Sequence, residues 1–186
     1  MAKRSGKFFT AFFKKNSKVG SVTPSSSFLA KKMLKNIDFS KDIVVVEHGP
    51  GTGVFTKKIV QKLSPNSKLF VFELNRDFVA TLKREIHDDR VKIICDSSAN
   101  LQKYLAEDNI TEVDYIVSSL PLSIIPKEIR ESIVKESYKS LKTDGIMTQF
   151  QYSQQCKGIF KHYFPSVNVE FTALNIPPAF VYVCRK

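Results

Sequence analysis

Short apolar runs alternate with amphipathic stretches along most of this 186-residue sequence. Apolar runs of about four to eight residues are typical of strands, whereas apolar positions three or four apart are typical of helices. Because the two patterns alternate, the sequence predicts an α/β domain with a doubly wound, Rossmann-like sheet of about seven strands. The expected strands cover 43–47, 68–73, 91–95, 113–118, 146–152, 167–174 and 180–184; the expected helices cover 27–35, 77–86, 101–106 and 127–141, with one more ending near residue 63.

The last two expected strands differ from the others in their connection. Only a few residues, including Pro177 and Pro178, separate them, and that is too short for a crossover helix. We therefore expect an antiparallel, hairpin-like pair at one edge of an otherwise parallel sheet.

The front of the chain has a pattern of its own, which predicts an amphipathic helix and connector over 1–24 ahead of a domain over 25–186. In a helix, four phenylalanines would fall within an arc of about 140°. Basic side chains would occupy the other side, as in a helix lying in a membrane interface. Packing of the aromatic face on the protein's own core and contact with nucleic acid are the alternatives. The aromatic residues are Phe8, Phe9, Phe12 and Phe13, and the basic ones are Lys3, Arg4, Lys7, Lys14, Lys15 and Lys18.

Most of the net charge of +11 lies in this front segment. Residues 1–37 contain nine basic side chains and no acidic one, whereas the remainder has 20 basic and 18 acidic side chains. A concentrated cationic segment favours an anionic partner. We expect residues Lys3 to Lys18 to contact an anionic membrane surface, with the protein cytoplasmic and bound peripherally to the inner face. Nucleic acid is not the expected partner.

Other features limit the choice of function. No apolar run is long enough to predict a membrane-spanning helix. The three cysteines are scattered, which is typical of a reduced, cytosolic protein. The three histidines do not have metal-ligand spacing, so no metal site is expected.

Polar and glycine residues follow four consecutive strands of the predicted sheet. The first strand leads into the loop 47–53, in which Gly49, Gly51 and Gly53 alternate with other residues after Glu47. Open α/β sheets bind ligands at the carboxyl ends of their strands, where a glycine loop lets a ligand approach the main chain. The polar residues that end the next three strands are Glu73 with Leu74, Asp96 with Ser97, and Ser118 with Ser119, Leu120 and Pro121.

These four segments resemble motifs I to IV of class I methyltransferases, a resemblance that covers residues 43–150. It implies S-adenosylmethionine as the cofactor, with the glycine loop under the methionine part, Glu73 on the ribose hydroxyls and Asp96 at the adenine edge. The cofactor-binding residues that it implies are Glu47, Gly49, Pro50, Gly51, Gly53, Glu73, Leu74, Asp96, Ser97 and Ser118.

A narrower likeness covers nearly the whole chain. The basic aromatic front and segments 25–29, 118–126 and 175–179 resemble bacterial phospholipid N-methyltransferases, which methylate phosphatidylethanolamine. The related ribosomal RNA adenine dimethyltransferases usually carry Asn-Leu/Ile-Pro-Tyr/Phe at motif IV, where the Asn and carbonyl groups hold the adenine amine and the ring stacks on the base. Here Ser119-Leu120-Pro121-Leu122 lacks both the amide and the ring, which argues against a base substrate.

The predicted activity is therefore methyl transfer to the amine of a membrane aminophospholipid. We expect the amine beside Ser118, Ser119 and Leu120, held by main-chain carbonyls or serine hydroxyls. Tyr152 and Tyr163 are candidate headgroup contacts, with ordinary packing as the alternative for each. Two further hypotheses stay open: a methyltransferase for RNA adenine N6 or a small amine, and a cofactor-binding or membrane-associated module without catalysis.

Overall fold

The computed structural model describes residues 27–186. The amphipathic helix expected over 1–24 lies outside the described residues. Within them, strands and helices alternate as the sequence predicts. None of the described helices has the length and apolar character needed to cross a membrane.

One seven-stranded sheet runs through the described domain, in the order β3-β2-β1-β4-β5-β7-β6. The pairs among β1 to β5 are parallel, and β7 pairs antiparallel with both β5 and β6. The predicted antiparallel pair of last strands is confirmed, and β7 inserts between β5 and the edge strand β6. The strands are β1 (Val44–His48), β2 (Lys68–Phe72), β3 (Val91–Ile94), β4 (Val113–Ser118), β5 (Leu141–Gln151), β6 (Ser166–Thr172) and β7 (Ala179–Arg185).

Six helices cover the two faces of this sheet in the described part of the chain. α1, α2 and α3 pack on one face around Val45, Val71 and Val117, and α4, α5 and α6 pack on the other around Val46 and Ile116. Burial on both faces explains why the central strands are continuous apolar runs. The helices are α1 (Ser27–Leu34), α2 (Val54–Val60), α3 (Arg76–Glu85), α4 (Leu101–Glu107, after a 3₁₀ turn at Ser98–Asn100), α5 (Lys127–Ser140) and α6 (Lys157–Tyr163).

Two details differ from the sequence prediction. β5 begins at Leu141, directly after α5, rather than at residue 146, and it ends at Gln151, so Tyr152 lies just beyond it. Helix α6 was not predicted, because its seven residues include a single buried apolar position, Phe160, together with a glycine and three basic residues. Both differences lie beyond β4, in the half of the domain that the motifs do not cover.

Candidate active site

The glycine loop between β1 and α2 passes close to the end of β4. Gly49, Gly51 and Gly53 have φ angles of 68°, 55° and 79°, a conformation that disfavours other residues. The Gly49 amide donates to the Phe72 carbonyl at 2.9 Å. A Cβ atom at Gly49 would lie 2.7 Å from Cδ2 of Leu120, so the loop and motif IV can approach this closely only because residue 49 has no side chain.

Glu47, the last acidic residue before the loop, is completely buried. Neither of its carboxylate oxygens has a well-aligned hydrogen-bond partner in the described part of the chain, although the side chain and amide of Thr56 lie close enough to act on it as donors. Burial raises the pKa of Glu47 to about 8; nearby Thr56 opposes this shift, and the Glu73 carboxylate adds to it. A buried carboxyl without a partner is costly unless it meets a donor, so this group is suited to a cationic ligand group.

Glu73 follows β2 and links two segments of backbone. Its Oε2 accepts from the Gly51 amide at 3.2 Å, and its Oε1 accepts from the Asn75 amide at 2.8 Å. Burial raises the pKa of Glu73, and these backbone hydrogen bonds oppose the shift. The carboxylate is thereby fixed at the carboxyl end of the sheet, in the position where open α/β sheets present an acid to ribose hydroxyls.

Asp96 follows β3 and is held by three donors. Oδ1 accepts from the Ser97 backbone amide at 2.7 Å. Oδ2 accepts from Nδ2 of the Asn100 side chain at 3.0 Å and from the Tyr104 hydroxyl at 2.9 Å. Partial burial opposes these bonds, which nevertheless keep the pKa of Asp96 below its usual range. Asp96 is therefore a fixed, ionised acceptor, and Tyr104 is a site residue that the sequence analysis missed.

The carboxyl ends of β1 to β4 enclose one cleft of about 470 Å³, including space open to solvent. It brings together most of the predicted strand-end residues. Glu47, Pro50, Gly51, Gly53 and Ser118 do not line it. Ile129 and Ile133 were not predicted, although their four-residue spacing on a helix with apolar positions marked one face. The lining residues are Gly49, Phe72, Glu73, Leu74, Asp96, Ser97, Ser98, Ser119, Leu120, Pro121, Ile129 and Ile133.

The motif IV carbonyl at Leu120 is already hydrogen-bonded. It accepts from the side-chain amides of Gln149 at 3.0 Å and Gln151 at 2.8 Å, and from the backbone amide of Leu122 at 2.8 Å. The hydroxyls of Ser118 and Ser119 are buried and have no partner in the described part of the chain. Among the groups expected to hold the amine, the serine hydroxyls have no hydrogen-bond partner, whereas this carbonyl already accepts from three donors and has no free lone pair. The two glutamines were not predicted, because only the pairing of β5 with β4 brings them here.

His48 lies in the loop motif but has a structural environment. It is buried, and burial lowers the pKa of its imidazole to about 3, so the ring is neutral. Ser137 donates its hydroxyl to the Ile133 carbonyl at 2.8 Å and lies 3.2 Å from Nε2 of His48. His48 Nε2–H can therefore donate to this oxygen and join β1 to α5.

The two candidate tyrosines lie in different places. Tyr152 is 56% exposed and makes an edge contact with Phe150, with ring centroids 5.7 Å apart. Tyr163 is not in the cleft. It lines a separate cavity between α5 and α6, together with Arg130 and His162.

The cleft fits the parts of S-adenosylmethionine. The buried Glu47 carboxyl lies behind the glycine loop, where it could meet the amino group of the ligand. Gly49 has no Cβ atom, which would otherwise collide with Leu120 of motif IV. Glu73 and Asp96 supply fixed acceptors for a diol and an exocyclic amine. No cluster of three or more potential metal ligands occurs among residues 27–186.

Comparisons with known proteins agree with this architecture. The profile of the ribosomal RNA adenine dimethylase family matches residues 12–157. An ornithine lipid N-methyltransferase from Singulisphaera acidiphila is 31% identical over 181 residues, covering 96% of this chain and 94% of that protein. A ribosomal RNA small subunit methyltransferase A from Mycoplasma capricolum subsp. capricolum is 28% identical over 127 residues, covering 68% of this chain but only 44% of that protein.

The fold is shared with solved methyltransferases. A crystal structure of 1,6-didemethyltoxoflavin-N1-methyltransferase from Burkholderia thailandensis, with bound S-adenosylhomocysteine, superposes with a TM-score of 0.71 at 11% identity, covering 97% of this chain and 86% of that one. At that identity the likeness concerns the fold alone. The family match over most of the sequence is decisive: the chain belongs to the ribosomal RNA adenine dimethylase family and is a class I methyltransferase with S-adenosylmethionine as its methyl donor.

Proposed function

We propose that this methyltransferase acts on the amine headgroup of a membrane lipid, phosphatidylethanolamine or its methylated forms being the acceptors that the sequence predicts. The observation that carries the proposal is the nearly end-to-end match to an ornithine lipid N-methyltransferase, which covers 96% of this chain and 94% of that protein. The match to the ribosomal RNA enzyme leaves more than half of that protein's length without a counterpart.

The chemistry of motif IV supports the same choice over a nucleic acid base. Ser119-Leu120-Pro121-Leu122 offers no side-chain amide and no aromatic ring, and the side chain of Leu122 is buried in the core. A flipped adenine is held by hydrogen bonds to its edge and by stacking, and this segment supplies no ring for the second of these. A primary amine needs no such ring.

For the donor, we assign each strand end a role. Glu47 with the loop of Gly49, Pro50, Gly51 and Gly53 holds the methionine part, Glu73 with Leu74 the ribose, and Asp96 with Ser97 the adenine. When bound, S-adenosylmethionine supplies an electrophilic methyl group on a sulfonium. The chain's own residues orient the two reactants, and positioning of this kind can supply a large part of a rate enhancement.

For the acceptor, the amine must lose a proton before its nitrogen can attack. An ammonium of the lysine type has a pKa of about 10.4, and a desolvated site lowers it. In our proposal Ser119, which lines the cleft, holds the amine through its unpartnered hydroxyl, while Gln149 and Gln151 keep the Leu120 turn in place; Ser118 is buried outside the cleft lining and makes no direct contact. We also propose that the exposed ring of Tyr152, next to Gln151 in the sequence, contacts a methylated headgroup by cation–π attraction.

The protein's location is part of the proposal. A lipid acceptor requires the enzyme to work at a bilayer, and the cationic, phenylalanine-rich segment from Lys3 to Lys18 has the composition of an interfacial anchor. We propose that the protein is cytoplasmic and binds peripherally to the anionic inner face of the membrane.

The test is acceptor competition with radiolabelled S-adenosylmethionine. The full chain is incubated in parallel with vesicles containing phosphatidylethanolamine, vesicles containing ornithine lipid, small-subunit ribosomal RNA, and ethanolamine. We expect label in the lipid extract, with the two vesicle types deciding between the aminolipids, and none with Glu73→Ala. Label in RNA or in ethanolamine instead would replace the lipid proposal with the corresponding alternative.

A further inference from the structure

Exposed apolar side chains collect at one end of the described domain. On the last residues of β6 and the following turn, Phe171 is 55% exposed, Leu174 is 65% exposed and Ile176 is 76% exposed. Phe28, in the first turn of α1, and Tyr152, just after β5, are 55% and 56% exposed. We call these five residues the apolar rim. A concentration of large exposed apolar side chains at one place marks a surface that binds a partner.

The rim is one surface rather than scattered positions. Lys32 Nζ donates to the Phe171 carbonyl at 2.6 Å, which places the last turn of α1 beside the end of β6; Phe28 precedes Lys32 by four residues and so shares its face of the helix. The Tyr152 side chain is hydrogen-bonded to that of Asn175, within the β6–β7 turn. Three separate segments of the chain therefore meet there.

The rim lies next to the acceptor end of the cleft. Gln151, the residue before Tyr152, donates to the Leu120 carbonyl at 2.8 Å. β6 runs parallel to β5, since both are antiparallel to β7, so the end of β6 and its turn lie at the carboxyl end of the sheet, as motif IV does. A molecule that covered the rim would face the place where the acceptor amine must arrive.

The charge around the rim favours an anionic partner. Between residues 145 and 186 the sequence has one acidic residue, Glu170, and it is paired with Lys35 at 2.5 Å and Lys32 at 3.6 Å. Lys31, one helical turn after Phe28, is exposed on the same face of α1. Apolar side chains next to the exposed Lys31, with no unpaired acid between residues 145 and 186, match the acyl chains and anionic headgroups of a bilayer.

We propose that the apolar rim is a lipid-contact surface that enters the interface of an anionic bilayer and turns the mouth of the cleft toward it. The rim supplies an orienting contact in addition to the segment Lys3 to Lys18. This inference rests on the proposed lipid substrate for its biological purpose, but its physical content, contact with the bilayer, is tested without any methyl transfer.

The sequence contains no tryptophan, so a single introduced indole reports on its own position. Ile176→Trp is mixed with vesicles of phosphatidylcholine and phosphatidylglycerol that carry brominated acyl chains. Phe39→Trp, which lies before β1 at the opposite end of the strands, is the matched control. We expect strong quenching for Ile176→Trp and little for Phe39→Trp. Vesicle-bound protein with an unquenched Ile176→Trp indole, or no vesicle binding at all, would overturn the proposal.

A second pair of variants measures the strength of the contact. Leu174→Ser with Ile176→Ser should weaken partition into anionic vesicles about tenfold, since two apolar side chains lose their transfer to lipid. Leu174→Ile with Ile176→Leu keeps the apolar surface and should partition like the parent. Equal partition of all three proteins would contradict the proposal.

Other occupants of the rim give a different result. If another part of the chain or a second copy covers it, the Ile176→Trp indole will already be shielded from iodide without vesicles, and the lipid proposal fails. Quenching by brominated lipid without methylation of any aminolipid would contradict the proposed activity but not the proposed lipid contact. Methylation of an aminolipid without quenching of the Ile176→Trp indole would support the proposed activity and contradict the proposed lipid contact of the apolar rim.

Discussion

The two halves of the sheet differ in whether the polar side chains at their strand ends already have hydrogen-bond partners. At the ends of β2 and β3, Glu73 and Asp96 are each fixed by hydrogen bonds from neighbouring groups. At the end of β4, the hydroxyls of Ser118 and Ser119 are buried without partners in the described residues, and the surface beyond β5 is apolar. Fixed acceptors suit a ligand of constant shape, whereas unengaged hydroxyls beside an apolar surface suit a headgroup that arrives from a bilayer.

Gly49 is where the two halves meet. Its Cα faces the Leu120 side chain, so the loop that we propose for the donor and the turn that we propose for the acceptor share one contact. The comparison predicts that changes on the β1–β3 side alter donor affinity, that changes on the β4–β5 side alter turnover, and that changes at this contact alter both.

The largest expected effect is on the donor side. Glu73→Ala should weaken binding of S-adenosylhomocysteine about 100-fold, because hydrogen bonds to a charged group contribute about 1.5–3 kcal/mol each. Calorimetric titration measures it, with Asp89→Ala as the control, since Asp89 is an exposed acid that precedes β3, at the opposite end of the strands from the cleft.

Glu73 also accepts from two backbone amides, so its loss could act through folding. Glu73→Gln keeps the volume, and thermal unfolding of both variants separates the two causes. If a folded Glu73→Ala protein bound S-adenosylhomocysteine as tightly as the parent, Glu73 would not be a donor-side contact, and the proposed difference between the two halves of the sheet would be wrong.

The next effect is at the shared contact. Gly49→Ala should reduce both ligand affinity and turnover at least tenfold, because the new Cβ meets Leu120 at 2.7 Å and the backbone has φ +68°. The left-handed conformation alone costs about 1–2 kcal/mol for a residue with a side chain. Gly158→Ala is the control: Gly158 lies in α6 with nothing within 4 Å of its would-be Cβ, and alanine there should stabilise by about 0.5–1 kcal/mol. If Gly49→Ala and Gly158→Ala had the same ligand affinity and turnover, the close contact between Gly49 and Leu120 would not be needed for either.

A smaller effect is expected on the acceptor side alone. Gln149→Met with Gln151→Met removes both side-chain donors from the Leu120 carbonyl while keeping similar volume, and leaves only the Leu122 backbone amide as its donor among the described residues. Each bond contributes about 1 kcal/mol, so turnover should fall about tenfold while S-adenosylhomocysteine affinity stays within about twofold. Gln102→Met, an exposed position on α4, is the control. A loss of cofactor affinity in the double variant would mean that the two halves are not separable.

The same division explains how far the sequence could predict the structure. The elements from β1 to β4 and their strand-end residues follow from local patterns: apolar runs, alternating glycines after β1, and an acid after β2 and after β3. Tertiary structure then gathered Gly49, Glu73, Asp96 and Ser119 into one cleft, as the rule for open sheets requires.

The acceptor half depended on pairings that no local pattern encodes. Gln149 and Gln151 reach Leu120 only because β5 lies beside β4, and their partner is 29 or 31 residues away in the sequence. Tyr163 was expected near the headgroup, but the unpredicted helix α6 carries it to another cavity. The apolar rim likewise joins three segments whose proximity is a property of the fold.

The smallest expected effect is the pH dependence of stability that Glu47 contributes, which distinguishes it from Glu73 and Asp96. Its pKa is about 8 in the fold against about 4.5 for an ordinary Glu, so between these pH values the folded state keeps a proton that the unfolded state has released. Stability from this group is therefore fully present below about pH 4.5 and is lost as pH rises through about 8. Glu47→Gln removes that dependence, so its advantage in melting temperature over the parent should grow from pH 5 to pH 8.5.

Ligand binding should show the opposite trend for the same residue. Near pH 6 the parent carboxyl is protonated and resembles the amide, so Glu47→Gln should bind S-adenosylhomocysteine almost as well as the parent. At pH 8.5 the parent carboxylate can pair with the ligand's amino group, and the variant should bind a few-fold more weakly. Titrations at both pH values, alongside thermal unfolding, measure the two trends together. Parallel melting curves and a constant affinity ratio would mean that Glu47 is ionised throughout and has a partner, and the donor side would then have three fixed acids instead of two.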